Sequence, residues 1–161
     1  MLIIKEGNLL DSGADVIAHQ VNCMGVMGAG VAKQIRERWP EAYASYHVLC
    51  QEHQKAPHVL LGNVQLVPIG DGRYVYNIFG QLDYGSHTTQ TEYNALRRGL
   101  LDTIRWMEQM RPGGRLALPW KIGCGLAGGN WDGVVYPMIQ DLASKTDIQV
   151  ELWKLPEPKG A

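Results

Sequence analysis

Ala18-His19-Gln20-Val21-Asn22-Cys23-Met24-Gly25-Val26-Met27-Gly28-Ala29-Gly30-Val31-Ala32-Lys33 decides how the chain folds. An apolar run stops at His19, polar groups follow, and three glycines precede a segment with helical periodicity. The pattern reads as strand, open loop and helix N-terminus. Such a junction points unpaired backbone N–H groups at whatever lies in front of it, and glycine lets an anion approach because no Cβ intervenes. A phosphate or a sugar hydroxyl is the expected guest. Pro119-Trp120-Lys121-Ile122-Gly123-Cys124-Gly125-Leu126-Ala127-Gly128-Gly129 repeats the arrangement about a hundred residues later. Either loop alone reads equally well as a tight turn. Two of them, each after a strand and before a helix, favour ligand binding and suit a diphosphate.

Working outward, residues 2–5 form a short strand ended by Gly7 and Asn8, and 15–20 form the strand feeding the first loop. Val31, Ile35 and Trp39 mark a helix, which Pro40 separates from a second one carrying Ala42, Tyr46, Leu49 and His53. Residues 64–69 and 74–79 read as a hairpin around Gly70-Asp71-Gly72-Arg73. Thr89-Gln90-Thr91-Glu92 reads as a capping box before the longest helix, marked by Tyr93, Leu96, Leu100, Ile104 and Met107. Residues 115–119 deliver the second loop. The last helix, with Trp131, Val135, Met138 and Leu142, is expected to kink or start late at Pro137. Alternation of Ile148, Val150 and Leu152 with Gln149, Glu151 and Trp153 gives a half-buried final strand. Six strands and four helices in alternation imply a single-domain, three-layer α/β/α sandwich. The hairpin and the half-polar last strand imply that its sheet is mixed, though mostly parallel.

Length and charge narrow the function. A chain of 161 residues suffices for one core. The domain is expected over 1–155, with 156–161 as a loose tail. A net charge of −1 leaves no basic surplus for a nucleic-acid backbone, so nucleic acid is not expected as the main ligand. The three cysteines cannot all pair and have no metal-ligand spacing, which favours a reducing compartment without structural zinc. No apolar stretch reaches the length of a signal peptide or a membrane span, so a soluble cytoplasmic protein is expected.

Gly7-Asn8-Leu9, then His19-Gln20-Val21-Asn22 with Gly28-Ala29-Gly30-Val31, and the loop from Pro119 to Gly129 followed by Trp131, together resemble the ADP-ribose-binding macrodomain. The similarity runs over nearly the whole chain and predicts the same sandwich. It leans to the branch of ADP-ribose 1''-phosphate phosphatases and de-ADP-ribosylating macrodomains. It implies that Asn8 and Leu9 serve the adenine end, although most members have an aspartate at Asn8. Gly28, Ala29, Gly30 and Val31 would form one bank of the diphosphate site, and Ile122, Gly123, Cys124, Gly125, Leu126 and Ala127 the other. Phe79 would stack on the ligand or fill the core. Asn22 would hold the distal ribose, or else make an Asx turn. His19 would act at the reacting group or stand as a wall residue, and the 80–87 loop offers Asp83 as a base and His87 as a second imidazole. No metal or cofactor is implied.

The chain also departs from its relatives. Human-type members have an aspartate where Ala127 stands and a lysine where Gln81 aligns, so a lysine-adduct mechanism has no lysine at that place. Ala29 interrupts the consecutive glycines of other hydrolases. The resemblance therefore implies an ADP-ribose-handling hydrolase, acting as a monomer on a 1''-phosphate or an ADP-ribosylated target, with a non-catalytic ADP-ribose reader as the alternative. Gly123-Cys124-Gly125-Leu126-Ala127-Gly128 also satisfies the dinucleotide fingerprint of a dehydrogenase. That fingerprint belongs in a first βαβ unit with an acidic residue at the end of the next strand. Glu151 lies inside its strand instead, and no substrate domain is expected after it.

Overall fold

Every strand but one runs parallel to its neighbours, because helices return the chain to the same edge after nearly every strand. A computed structural model describes residues 1–156; of the expected tail, only Pro156 falls within them. The strands are β1 (Leu2–Glu6), β2 (Val16–Val21), β3 (Val64–Gly70), β4 (Arg73–Phe79), β5 (Arg115–Pro119) and β6 (Gln149–Lys154). They form one sheet in the order β1-β6-β5-β2-β4-β3, with β3 antiparallel to β4 on the edge. The hairpin thus makes the sheet mixed. The last strand does not, since β6 pairs parallel with β1 and β5.

Helices α1 (Gly30–Arg38), α2 (Pro40–Glu52), α3 (Tyr93–Met110) and α4 (Tyr136–Ser144) cover both faces. Leu96, Leu100, Ile104 and Met107 of α3 and Ile139 and Leu142 of α4 pack on one face, against Val16, Ala18, Ile78, Leu116 and Val150. Ile35 of α1 and Ala42 of α2 cover the other, over Ile17, Val75 and Ala117. The i, i+3, i+4 spacing of α3 accounts for its apolar stripe. Gly99 in that stripe brings the helix down on β4, where a Cβ would collide with the Ile78 side chain.

Two helix starts differ from expectation or refine it. Glu92, not Thr89, caps α3, its carboxylate accepting from Asn94 N and Ala95 N at 3.2 and 3.1 Å. The Thr91 hydroxyl instead donates to the Gly123 carbonyl, tying this segment to the second glycine loop. At the last helix, a π turn over Trp131–Val135 precedes α4, and Pro137 falls in the first turn of α4, where a missing N–H costs nothing.

Glu151 corrects the reading of β6 as half exposed. Its carboxylate is buried in the sheet and accepts from Arg115 Nε and Nη2 at 2.7 and 2.9 Å, Gln149 Nε2 at 2.6 Å and Trp153 Nε1 at 2.9 Å. Lys5 Nζ stands 3.4 Å away. Burial alone would raise the carboxyl pKa, but these donors outweigh it and hold it at about 2.

Candidate functional site

In an open sheet of this kind, ligands sit beyond the carboxyl ends of the strands, where the order of connections reverses. Here a cleft of about 640 Å³ opens at the ends of β2 and β5. That volume suits a nucleotide-sized guest. The first glycine loop borders it through Gly28, Ala29, Gly30 and Val31, and the second through Ile122, Gly123, Gly125, Leu126 and Ala127. Tyr84, Gly85 and Ser86 form a third wall. The N-terminus of α1 at Gly30 opens into this space, and no side chain caps it. Its first N–H groups remain free for an anion. No Asp or Glu borders the cleft, so nothing in its lining repels a diphosphate.

Asn22 borders the cleft and organises the loop beside it. Its carbonyl accepts from Met24 N at 2.9 Å and from the Tyr46 hydroxyl at 2.7 Å, while its amide donates to the Val26 carbonyl at 2.8 Å. One amide hydrogen remains for a ligand hydroxyl. The Asx-turn and ligand-facing readings thus describe one side chain.

His19 also borders the cleft but is fully buried. Asn77 donates its amide to Ala42 O and Gln65 Oε1 at 3.2 and 3.1 Å, so its carbonyl must accept from His19 Nε2 at 2.6 Å. That contact puts the proton on Nε2 and leaves Nδ1 bare, without a partner among the described residues. Burial, only partly offset by the Asn77 contact, lowers the imidazole pKa to about 4. Burial thus favours the neutral imidazole near pH 7, with its Nε2 proton held by Asn77 and its Nδ1 left as an acceptor.

This protonation has a consequence for stability. The folded pKa lies below the ordinary 6.5, so the folded protein resists protonation that the unfolded chain accepts. Stability is full above pH 6.5 and falls as the pH drops toward 4. His19→Gln should flatten that part of the curve in melts taken across this range, while wild type slopes.

Several expected site residues lie elsewhere. Phe79 is fully buried and packs against Tyr46 of α2 at 5.8 Å between ring centroids, as core and not as a stacking platform. The Asp83 carboxylate accepts from Tyr84 N at 2.7 Å, closing its own exposed turn outside the cleft lining. His87 is likewise exposed and outside the lining. Cys124 turns from the cleft, and burial pushes its thiol up to about 11. Asn8 caps a short 3-10 turn by accepting from Leu10 N at 3.0 Å, and Leu9 is buried, so neither borders the cleft.

Other residues enter the site that sequence reasoning passed over. Gln20, Gln81, Trp120, Lys121 and Tyr84 all border the cleft. Gln20 Nε2 donates to Gln81 Oε1 at 2.8 Å and Thr91 Oγ1 at 2.9 Å, and Cys23 N donates to the Leu82 carbonyl at 3.0 Å. These bonds lash the 81–91 loop to β2 and the first glycine loop, while the Thr91 hydroxyl and Gln90 N, donating to the Gly123 and Ala127 carbonyls, tie it to the second. Lys121 and Trp120 were legible in the second loop, but nothing local showed that they face the ligand space. Among the described residues no cluster of three His, Cys, Asp or Glu side chains could hold a metal.

A three-layer sandwich with an anion-ready cleft between two glycine loops defines a nucleotide-binding α/β domain, and the chain belongs to the macro domain family, whose model matches residues 18–137. A DNA ADP-ribosyl glycohydrolase of Thermus aquaticus is 29% identical over 96% of this chain and 41% of its own length. An ADP-ribose 1''-phosphate phosphatase of Scheffersomyces stipitis is 44% identical, over only 35% of this chain and 33% of its own. The chain thus spans about two fifths of the glycohydrolase relative and a third of the phosphatase. Among solved structures, the macrodomain of Thermus aquaticus DarG is similar with a TM-score of 0.73 at 26% identity, covering 96% of this chain and 98% of that one. A macrodomain protein from Streptomyces coelicolor gives 0.77 at 26% identity, covering 96% and 99%.

Proposed function

We propose that the chain binds ADP-ribose in this cleft and hydrolyses the bond between its distal ribose and an attached group. The observation that carries the reading is the cleft itself, with two glycine loops, an uncapped helix N-terminus and no carboxylate in the lining. This matches the needs of a diphosphate with sugars on either side. Asn22 would orient the distal ribose with its remaining amide hydrogen. Water would attack C1'', the bond to the attached group would break, and the proton of the water would leave with that group. Free ADP-ribose and the released group are the products.

The glycohydrolase form of the reading is the better supported, because the relative so named is similar over nearly the whole chain and the phosphatase only over a third. ADP-ribosylated DNA is therefore the first substrate to test, and ADP-ribose 1''-phosphate the second. Three features favour the non-catalytic alternative: burial lowers the His19 imidazole pKa, Asp83 lies outside the lining, and the family resemblance implies a lysine in human-type members where Gln81 stands. We further propose that the protein acts in the reducing cytoplasm as a monomer, in keeping with three unpaired cysteines among the described residues.

Incubation with an ADP-ribosylated oligonucleotide and with ADP-ribose 1''-phosphate, followed by chromatography, tests the enzyme. Release of ADP-ribose is expected from the first at least. Asn22→Ala should lower that turnover by about 10²-fold through loss of ribose positioning. Binding of ADP-ribose without turnover of either substrate would make the protein a reader.

A further inference from the structure

We propose that Lys121 is a phosphate-binding residue of the cleft, its ammonium pairing with a phosphoryl oxygen of the bound nucleotide. The inference rests on the ADP-ribose reading above and adds a residue to it. Only two non-glycine residues among those described have left-handed backbone, Asp71 at φ 55° and Lys121 at φ 61°. Asp71 lies in the hairpin turn between two glycines, a place where aspartate settles readily. Lysine has no such local aptitude, because its Cβ crowds the backbone and its side chain makes no compensating turn bond. The loop nevertheless fixes it there, with Ile122 N donating to Pro119 O at 3.1 Å and Cys124 N to Lys121 O at 2.8 Å. An unfavourable conformation retained at the mouth of a cleft points to a demand from the ligand.

Charge gives the second line of argument. Lys121 borders the cleft, is exposed, and has no carboxylate within 4.0 Å among the described residues. It is the one Lys or Arg in a lining that has no Asp or Glu. The uncapped N-terminus of α1 opens into the same space, so a cation and a positive helix end share one cavity with nothing to balance them. An anion satisfies both.

Three variants test this, each read by calorimetry with ADP-ribose and with ADP-ribose 1''-phosphate at low and high salt, and by thermal melting. Lys121→Gly relieves the backbone and removes the charge. It should raise Tm by about 2–4 °C while weakening binding about tenfold and flattening its salt dependence. Lys121→Gln keeps the Cβ and most of the side-chain length but not the charge, and should lose affinity by a similar factor. Lys121→Arg should retain it. Equal losses for the two ligands assign the contact to the diphosphate, and a larger loss for the 1''-phosphate assigns it to the distal phosphate. If Lys121→Gln binds both ligands as tightly as wild type, Lys121 is only a turn residue and the inference fails while the ADP-ribose reading stands. If wild type itself fails to bind ADP-ribose, both fail together.

Discussion

Gly125→Glu is expected to abolish ADP-ribose binding and leave the fold intact. A Cβ at Gly125 meets no atom within 4 Å, and its backbone is not left-handed, so the larger residue costs little in the folded state. The side chain would enter the bank of the cleft proposed for the diphosphate, and its carboxylate would face phosphate in a site whose lining carries no other anion. Like charges in a partly desolvated site repel by several kcal/mol. Wild type should bind in the micromolar range, about −8 kcal/mol, and the variant at least ~10²-fold more weakly. Calorimetry and a melting curve check the two halves of this expectation. Normal binding with a normal Tm would show that the second glycine loop is only a turn.

The largest stability effect should come from Glu151→Ala, at a residue outside the cleft lining. The variant removes an acceptor that four side-chain donor contacts share and leaves Arg115 without its carboxylate inside the sheet. Arg115 keeps about a third of its side chain exposed and a bond to Ser12 O, so the loss costs about 2 kcal/mol, equivalent to a fall of ~4–8 °C in Tm for a domain of this size. Wild type carries a matching acid signature. The folded pKa of about 2 lies below the ordinary 4.5, so this contribution is present above pH 4.5 and is lost as the pH falls toward 2. The variant should lack that limb in chemical denaturation. It should keep the earlier one between pH 6.5 and 4, which belongs to His19. A Glu151→Ala protein as stable as wild type would show that the network merely breaks even with its desolvation.

Much of the architecture was readable one segment at a time. The apolar run opening β2, the spacing of Leu96, Leu100, Ile104 and Met107, and the glycines after β2 and β5 are short-range signals, because periodicity and turn chemistry act over a few residues. Pro137 likewise announced a late helix start. Side-chain surroundings were harder. Phe79 ends its strand beside the cleft, yet α2 lies over that face and Tyr46 closes on the ring. The family resemblance offered Asp83 as a base, but its carboxylate accepts from the next residue's own N–H. The alternating polar residues of β6 suggested solvent, whereas Arg115, 36 positions away, turns Glu151 into a buried ion-pair partner.

The sequence by itself determined the two junctions at which β2 and β5 open into glycine loops, since each is written in a dozen consecutive residues. Only the tertiary structure decided the protonation of His19, whose partner Asn77 is 58 positions distant, and the delivery of Lys121 to a cleft without a carboxylate. Ionisation and burial depend on every group within a few ångströms. Those groups come from segments that meet only when the sheet assembles in the order β1-β6-β5-β2-β4-β3.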